Sequence, residues 1–123
     1  MRIILCFLFA LVATPALAEW EKMAENDDIA YYIDPATTRK DGNLRRVWTV
    51  QDLKQKGKNG EMSRRALVEY DCKEERSRTL SYSLYSEPMS GGQKLLSNDY
   101  YSRWMALQGG TDDTISLKFV CAQ

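Results

Sequence analysis

Alternation of apolar and polar side chains predicts several β-strands in this chain. The clearest case runs over residues 63–73, where one face would be mainly apolar and the other mainly charged. The two faces comprise Ala66, Val68, Tyr70 and Cys72 on one side, and Arg65, Leu67, Glu69 and Asp71 on the other. A strand of this kind covers a core with one face and meets water with the other.

Residues 29–34, 44–53 and 76–86 also carry strand patterns, and turn signals lie between the segments. An Asp-Gly step begins at Asp41, and an Asn-Gly step ends at Gly60. Strands joined in this way run antiparallel, so the pattern predicts a meander of hairpins. Alternation in the last segment predicts Leu80, Tyr82 and Leu84 facing inward and Thr79, Ser81, Ser83 and Tyr85 facing outward.

The C-terminal part of the chain has a looser pattern. Residues 100–107 alternate as a further strand would. Residues 112–120 fit two structures, because their apolar positions alternate while Thr111 and the two aspartates after it are typical of a helix start. The pattern alone does not decide between a strand and a helix here.

The first 18 residues have the composition of a secretory signal peptide. Arg2 precedes an apolar run over residues 3–13, and small side chains follow at Ala16 and Ala18. The run is too short to cross a bilayer, because a spanning helix needs about 20 apolar residues. We therefore expect residues 1–18 to be removed, leaving one domain over residues 19–123 that begins at Glu19, in the periplasm or outside the cell.

Export leaves an even pair of cysteines. Cys6 would leave with the signal, and Cys72 and Cys121 would remain in an oxidising compartment. These two cysteines are predicted to form a disulfide, since no Cys-x-x-Cys motif indicates redox chemistry. The bond would tie the cysteine face of segment 63–73 to the end of the chain, so that this face is covered and the opposite face is open.

Amino-acid composition excludes several classes of function. The chain has 17 Lys and Arg, 17 Asp and Glu, and no histidine. Balanced charge gives no indication of nucleic-acid binding. The absence of histidine excludes His-dependent catalytic triads and HExxH zinc sites. Glu69 and Asp71 would share a strand face, but a glycosidase needs a cleft around its two carboxylates. Cross-strand ion pairs with Arg76 and Arg78 are the alternative role for them. We therefore predict no catalytic residue, no metal site and no cofactor.

Landmark residues run in order along the whole mature chain. They are Trp20, Tyr32-Ile33-Asp34-Pro35, Val47-Trp48, residues 68–72, Pro88-Met89-Ser90-Gly91-Gly92, Trp104 and Val120-Cys121. The ordered set resembles the surface-adhesin protein E-like family of exported bacterial domains. The resemblance implies an α+β fold, with an antiparallel sheet of about six strands and a C-terminal helix packed on one face, and so favours a helix over residues 112–120. It also implies an adhesive role, since the family's name-giving member binds host matrix and serum proteins.

The strand face opposite the cysteines is the first candidate for partner binding. It would combine charge with tyrosine, a composition common in protein interfaces. We expect Tyr85 to anchor a partner, with Arg65, Glu69 and Asp71 around it. The expected partner is a host-matrix or envelope protein, or a second copy of the chain in a homodimer. The predicted function is that of an exported, non-enzymatic, adhesin-like domain with no membrane span.

The loop after residue 53 is the second candidate. Lys54, Lys56 and Lys58 alternate along it, and Arg45, Arg46, Arg64 and Arg65 are expected nearby. This basic loop fits the alternative function, a periplasmic inhibitor or accessory subunit of an envelope enzyme. In that case the loop would carry the affinity for the enzyme.

Intact-mass measurement of the protein purified from the periplasm tests the predicted processing. The expected mass is that of a chain beginning at Glu19 and lacking the two hydrogens lost on disulfide formation. A mass that retains residues 1–18, or a count of two free thiols, would contradict the prediction.

Overall fold

The computed structural model describes residues 19–99 and 101–123, so the predicted signal peptide lies outside the described residues. This part of the chain forms eight strands, a short 3₁₀ turn and one helix. The elements are β1 (Glu21–Glu25), β2 (Ile29–Ile33), the turn Pro35–Thr37, β3 (Arg39–Asp41), β4 (Leu44–Leu53), β5 (Ser63–Asp71), β6 (Arg76–Tyr85), β7 (Lys94–Asn98), β8 (Met105–Ala106) and α1 (Asp112–Cys121).

The strands form one antiparallel sheet. Six of them follow each other in the order β1-β2-β4-β5-β6-β7, while β3 pairs with β4 and β8 pairs with β6. The predicted antiparallel sheet of about six strands is therefore confirmed, and its long strands β4, β5 and β6 match the predicted segments closely. The predicted strand over residues 100–107 is wrong in extent, because only Met105–Ala106 is a strand among its described residues.

Two glycines with positive φ lie in the connections of the central strands. Gly42 has φ 56° in the turn that joins β3 to β4, where Asp41 pairs with Leu44. Gly60 has φ 80° in the loop that leads into β5. Glycine adopts this conformation without the steric cost of a side chain, which is why both turn signals were readable in the sequence.

Helix α1 packs on one face of the sheet and completes the main core. Its buried Leu117 and Val120 belong to the same apolar cluster as Ile33, Val47 and Tyr70 of the sheet. The helix over residues 112–120 is thus confirmed. Cys72, which directly follows β5, and Cys121, at the end of α1, form the predicted disulfide.

Helix α1 begins where its sequence indicates, although the Thr111 hydroxyl does not cap the first turn. Thr111 has the extended backbone of an N-cap, and Asp112 and Asp113 lie in the first turn, where the helix dipole favours negative charge. The Thr111 hydroxyl donates to the carbonyl of Gln108 and hydrogen-bonds the Thr114 hydroxyl, but it accepts no backbone N–H of the first turn.

The two faces of the sheet follow from the strand register, because residues directly opposite each other share a face. Val47 lies opposite Val68 on the face that α1 covers. Arg46 lies opposite Glu69 on the other face. The cysteine face is therefore the helix-covered face, as predicted.

A β-bulge in β6 alters this pattern. The register passes from Leu67 opposite Ser81 to Val68 opposite Thr79, so Leu80 is an extra residue in β6. Strict alternation fails at this point. Thr79 lies on the helix-covered side, and its predicted outward position is wrong, whereas Ser81, Ser83 and Tyr85 face away from the helix as predicted.

The double variant Cys72→Ser, Cys121→Ser removes the disulfide and leaves no lone thiol. Because 49 positions separate the cysteines, the loop-closure relation gives a loss of about 4 kcal/mol in the free energy of unfolding. Chemical denaturation of the two proteins measures this difference. Unfolding of the variant at the same denaturant concentration as the parent would contradict the expectation.

Candidate functional site

The face opposite α1 carries a concentration of arginines, and we call it the arginine face. Its arginines on the strands are Arg39 of β3, Arg46 of β4, Arg65 of β5, and Arg76 and Arg78 of β6. No helix among the described residues covers this face. It includes all four residues of the first candidate surface. Arg65 and Tyr85 are half-buried there, whereas Glu69 and Asp71 are buried.

Glu69 is the central carboxylate of the arginine face, and it is 0 % exposed. Its Oε2 accepts a 2.6 Å hydrogen bond from Arg46 Nε, and its Oε1 accepts bonds of 2.9 and 2.7 Å from Arg78 Nε and Nη2. Glu69 therefore has no exposed carboxylate, because arginines from both neighbouring strands close over it, and its pair with Arg78 is the cross-strand ion pair considered from the sequence. Burial alone would raise the pKa of Glu69, but the hydrogen bonds and charges of the two arginines outweigh it and lower this pKa.

Asp71 is also buried, and it organises a turn. Its Oδ1 accepts from the backbone N–H groups of Lys73 and Glu74, and its Oδ2 accepts a 3.0 Å bond from Arg76 Nε. The hydrogen bond from the Glu74 backbone is the largest influence that lowers the pKa of Asp71. The Asp71 carboxylate is thus occupied within the chain, and its pair with Arg76 is the cross-strand ion pair considered from the sequence.

The guanidinium groups of the arginine face stack on aromatic rings. Arg65 lies 4.3 Å from the ring centroid of Trp48, and Arg76 and Arg78 lie 4.5 and 4.4 Å from that of Trp104. Arg78 also lies 4.8 Å from the ring of Tyr101, a side chain that is 55 % exposed. Such cation–π contacts hold an arginine in one orientation while its charge stays near water.

Trp104 and Tyr101 also belong to this face, although neither was among the candidate binding residues. They lie near β8, on a segment whose pairing with β6 brings it beside the arginines. A signal was present in the cluster of aromatic residues over 100–104, but nothing in the sequence specified which strand that segment joins.

Tyr85 and Arg65 lie near each other on the arginine face. Tyr85 is opposite Ser63 and Arg65 is opposite Ser83, which makes the two side chains diagonal neighbours. Tyr85 is half-buried, and the Lys94 ammonium lies 5.9 Å from its ring centroid. Arg65 is half-buried as well, so both residues present part of their surface to a partner.

The basic loop is exposed and does not gather all the cations expected there. Lys54 forms a 3.1 Å ion pair with Glu25, while Lys56 and Lys58 are exposed. Arg45 and Arg46 lie at the start of β4, at the end opposite this loop, where they pair with Tyr70 and Glu69. The expectation of one shared basic patch is therefore wrong.

The groups of this face form ion pairs and cation–π contacts with each other. Residues 19–99 and 101–123 include no group of three or more His, Cys, Asp or Glu side chains able to hold a metal ion. None of the helices in the same part of the chain is long and apolar enough to span a membrane. Glu69 and Asp71 are held by arginines, and Asp71 also by backbone N–H groups, which leaves neither carboxylate free as an acid or a base.

A family model described as surface-adhesin protein E matches residues 20–122. The fold is similar to crystal form II of Haemophilus influenzae protein E, with a TM-score of 0.69, 16 % identity, and coverage of 87 % of this chain and 90 % of that chain. Protein E from non-typeable Haemophilus influenzae gives a TM-score of 0.62 and 17 % identity, covering 89 % of this chain and 79 % of that chain. Likeness at this identity shows the fold alone. No curated protein matches the chain by sequence.

Glu69→Gln removes the shared counter-charge of Arg46 and Arg78 while keeping the shape of the side chain. We expect the free energy of unfolding to fall by about 2–3 kcal/mol, below the range for fully buried pairs because both arginines keep contact with water. Exposed Glu21→Gln is the matched control, with an expected change within about 0.5 kcal/mol. Chemical denaturation at neutral pH measures both changes.

The difference in the free energy of unfolding between the parent and Glu69→Gln depends on pH. Because the pKa of Glu69 is lowered in the folded state, its stabilising effect is present above the pKa of an unfolded glutamate, about 4.3, and disappears as the pH falls through the folded-state value. The difference between parent and Glu69→Gln is therefore expected to shrink as the pH falls below about 5. A difference that stays constant over this range would contradict the ion-pair account.

Proposed function

The chain belongs to the surface-adhesin protein E family, and we propose that it is an exported, non-enzymatic protein-binding domain that acts through the arginine face. Family membership supports an adhesin-like surface protein. The observation that carries the choice of face is the set of half-exposed arginines stacked on Trp48, Trp104 and Tyr101.

Stacked arginines are suited to protein binding for an energetic reason. A free arginine side chain loses rotamer entropy when it is fixed in an interface, whereas Arg65 and Arg78 are already held against aromatic rings. Arginine, tyrosine and tryptophan are also the residue types that contribute most to binding at protein interfaces. The arginine face thus combines suitable residue types with reduced ordering cost.

The charge of this face favours an acidic partner. Glu69 and Asp71 are buried beneath Arg46, Arg78 and Arg76, so in these ion pairs it is the cations that meet water. An acidic surface on a matrix or envelope protein would therefore be attracted to it, and added salt would weaken the attraction. No observation favours the inhibitor or accessory-subunit alternative.

The proposal includes export of the domain over residues 19–123 after removal of residues 1–18. A surface-adhesin family and a disulfide both fit an oxidising location outside the cytoplasm. Release from the periplasm and exposure at the cell surface are distinguished by fractionating cells that produce the tagged protein and crosslinking it to its nearest neighbour in the envelope.

Arg65→Glu and Tyr85→Ala test the proposed face. Surface plasmon resonance against a panel of immobilised extracellular-matrix proteins is expected to find a partner that each variant binds about tenfold more weakly than the parent. Both variants are expected to keep their free energy of unfolding within about 1 kcal/mol. Lys40→Glu is the control, because Lys40 is exposed on β3 and lies opposite Arg45 on the helix-covered side.

Replacement of Lys54, Lys56 and Lys58 together by serine tests the loop. Loss of binding in this triple variant, with parent-like binding in Arg65→Glu and Tyr85→Ala, would overturn the choice of face and move the site to the loop. Sedimentation of the free protein measures whether a second copy occupies the same face, since a dimer built there would dissociate in Arg65→Glu and persist in Lys40→Glu.

A further inference from the structure

A cavity lies on the helix-covered side of the sheet, at the bulge in β6 and outside the area that α1 contacts. Its volume is about 270 Å³, and it is lined by Arg64, Thr79, Tyr82, Ser102 and Met105. Arg64 was expected near the basic loop, and the other four residues belong to neither candidate surface considered above. The cavity is independent of the proposed adhesive role.

The bulge produces this cavity. β7 pairs with β6 from Tyr82 to Tyr85, and β8 pairs with Arg76 and Ser77. Among residues 19–99 and 101–123, no strand pairs with the edge of β6 between these two stretches. In this gap the extra residue Leu80 rotates Thr79 toward the helix-covered side. Bulges near sheet edges often re-aim side chains in this way at functional positions.

A backbone link closes the gap on one side. Ser102 donates its N–H to the carbonyl of Thr79 at 2.8 Å, and its hydroxyl accepts the Thr79 N–H at 2.9 Å. The cavity wall is therefore anchored to β6 at two points. A wall held in this way is formed before any ligand arrives.

Arg64 makes the cavity chemically distinctive. Its guanidinium lies 4.7 Å from the ring centroid of Tyr82, and no carboxylate lies within ion-pair distance of it in the described chain. Arg46, Arg76 and Arg78 each have a carboxylate partner. Burial lowers the pKa of Arg64, which means that its charge is poorly solvated and, unlike those of Arg46, Arg76 and Arg78, has no carboxylate to offset it.

We propose that this cavity binds a small carboxylate, with Arg64 pairing the carboxylate group and Tyr82 and Met105 contacting its apolar part. The planar fork of a guanidinium matches a carboxylate in two parallel hydrogen bonds. The volume is below the range of about 300–1,000 Å³ typical of drug-sized ligands, which limits the ligand to a compact molecule. Met105 is 62 % exposed and lies at the cavity, where an apolar group of the ligand would cover it.

Benzoate and benzamide form a matched pair of probes, because they share shape and differ in charge. In ¹H–¹⁵N spectra of the intact protein, benzoate is expected to cause saturable shifts at residues 64, 79, 82, 102 and 105. Benzamide is expected to bind about tenfold more weakly, since it offers no charge to Arg64. Inorganic phosphate, a tetrahedral anion, is expected to bind more weakly than benzoate.

Arg64→Gln and Arg65→Gln separate the cavity from the arginine face. Benzoate binding is expected to fall about tenfold in Arg64→Gln and to persist in Arg65→Gln. Equal binding of benzoate and benzamide, parent-like binding in Arg64→Gln, tighter binding of phosphate, or no saturable shift would each overturn the proposal. If Arg64→Gln fails to fold, the comparison of the probes on the parent protein decides the result alone.

Discussion

The bond between Cys72 and Cys121 determines how the two faces of this sheet are used. It joins the end of β5 to the end of α1, and thereby holds the helix against the face that carries Val47 and Tyr70. A domain of this size has a limited core, and the loop that the disulfide closes removes many conformations from the unfolded chain. With one face committed to the helix, the opposite face is available for arginines, aromatic rings and their partners.

Much of the fold was predictable because strand alternation, turn glycines and cysteine parity are local signals. β4 and β6, both flanked by turn residues, were bounded to within one residue, and the disulfide followed from two cysteines in an exported chain. Short edge strands such as β3 and β8 were not predictable, because three or two residues carry no periodicity and their pairing depends on strands distant in sequence. The helix needed the family resemblance, since its apolar positions also fit a strand.

The candidate site was predicted less well, for two physical reasons. Charge on an outward face was equated with exposure, yet Glu69 is enclosed because arginines on both neighbouring strands reach it. Alternation was also assumed to continue unbroken, yet the extra residue at Leu80 rotates Thr79 to the other side. Cross-strand register and bulges are set by the whole sheet, so single-strand patterns do not reveal them. The resulting arginine face and Arg64 cavity are consequences of register that emerged only from the folded chain.

The central claim is that partners bind to the arginine face while the disulfide holds the helix on the other. Hydroxyl-radical footprinting of the domain, free and in complex with the matrix or envelope protein it binds, tests this claim most directly. The account predicts that oxidation of Trp48, Tyr85 and Tyr101 falls in the complex, while oxidation of Ile115 on the exposed side of the helix stays unchanged. Protection of Ile115 with unchanged oxidation of the three aromatic residues would contradict it.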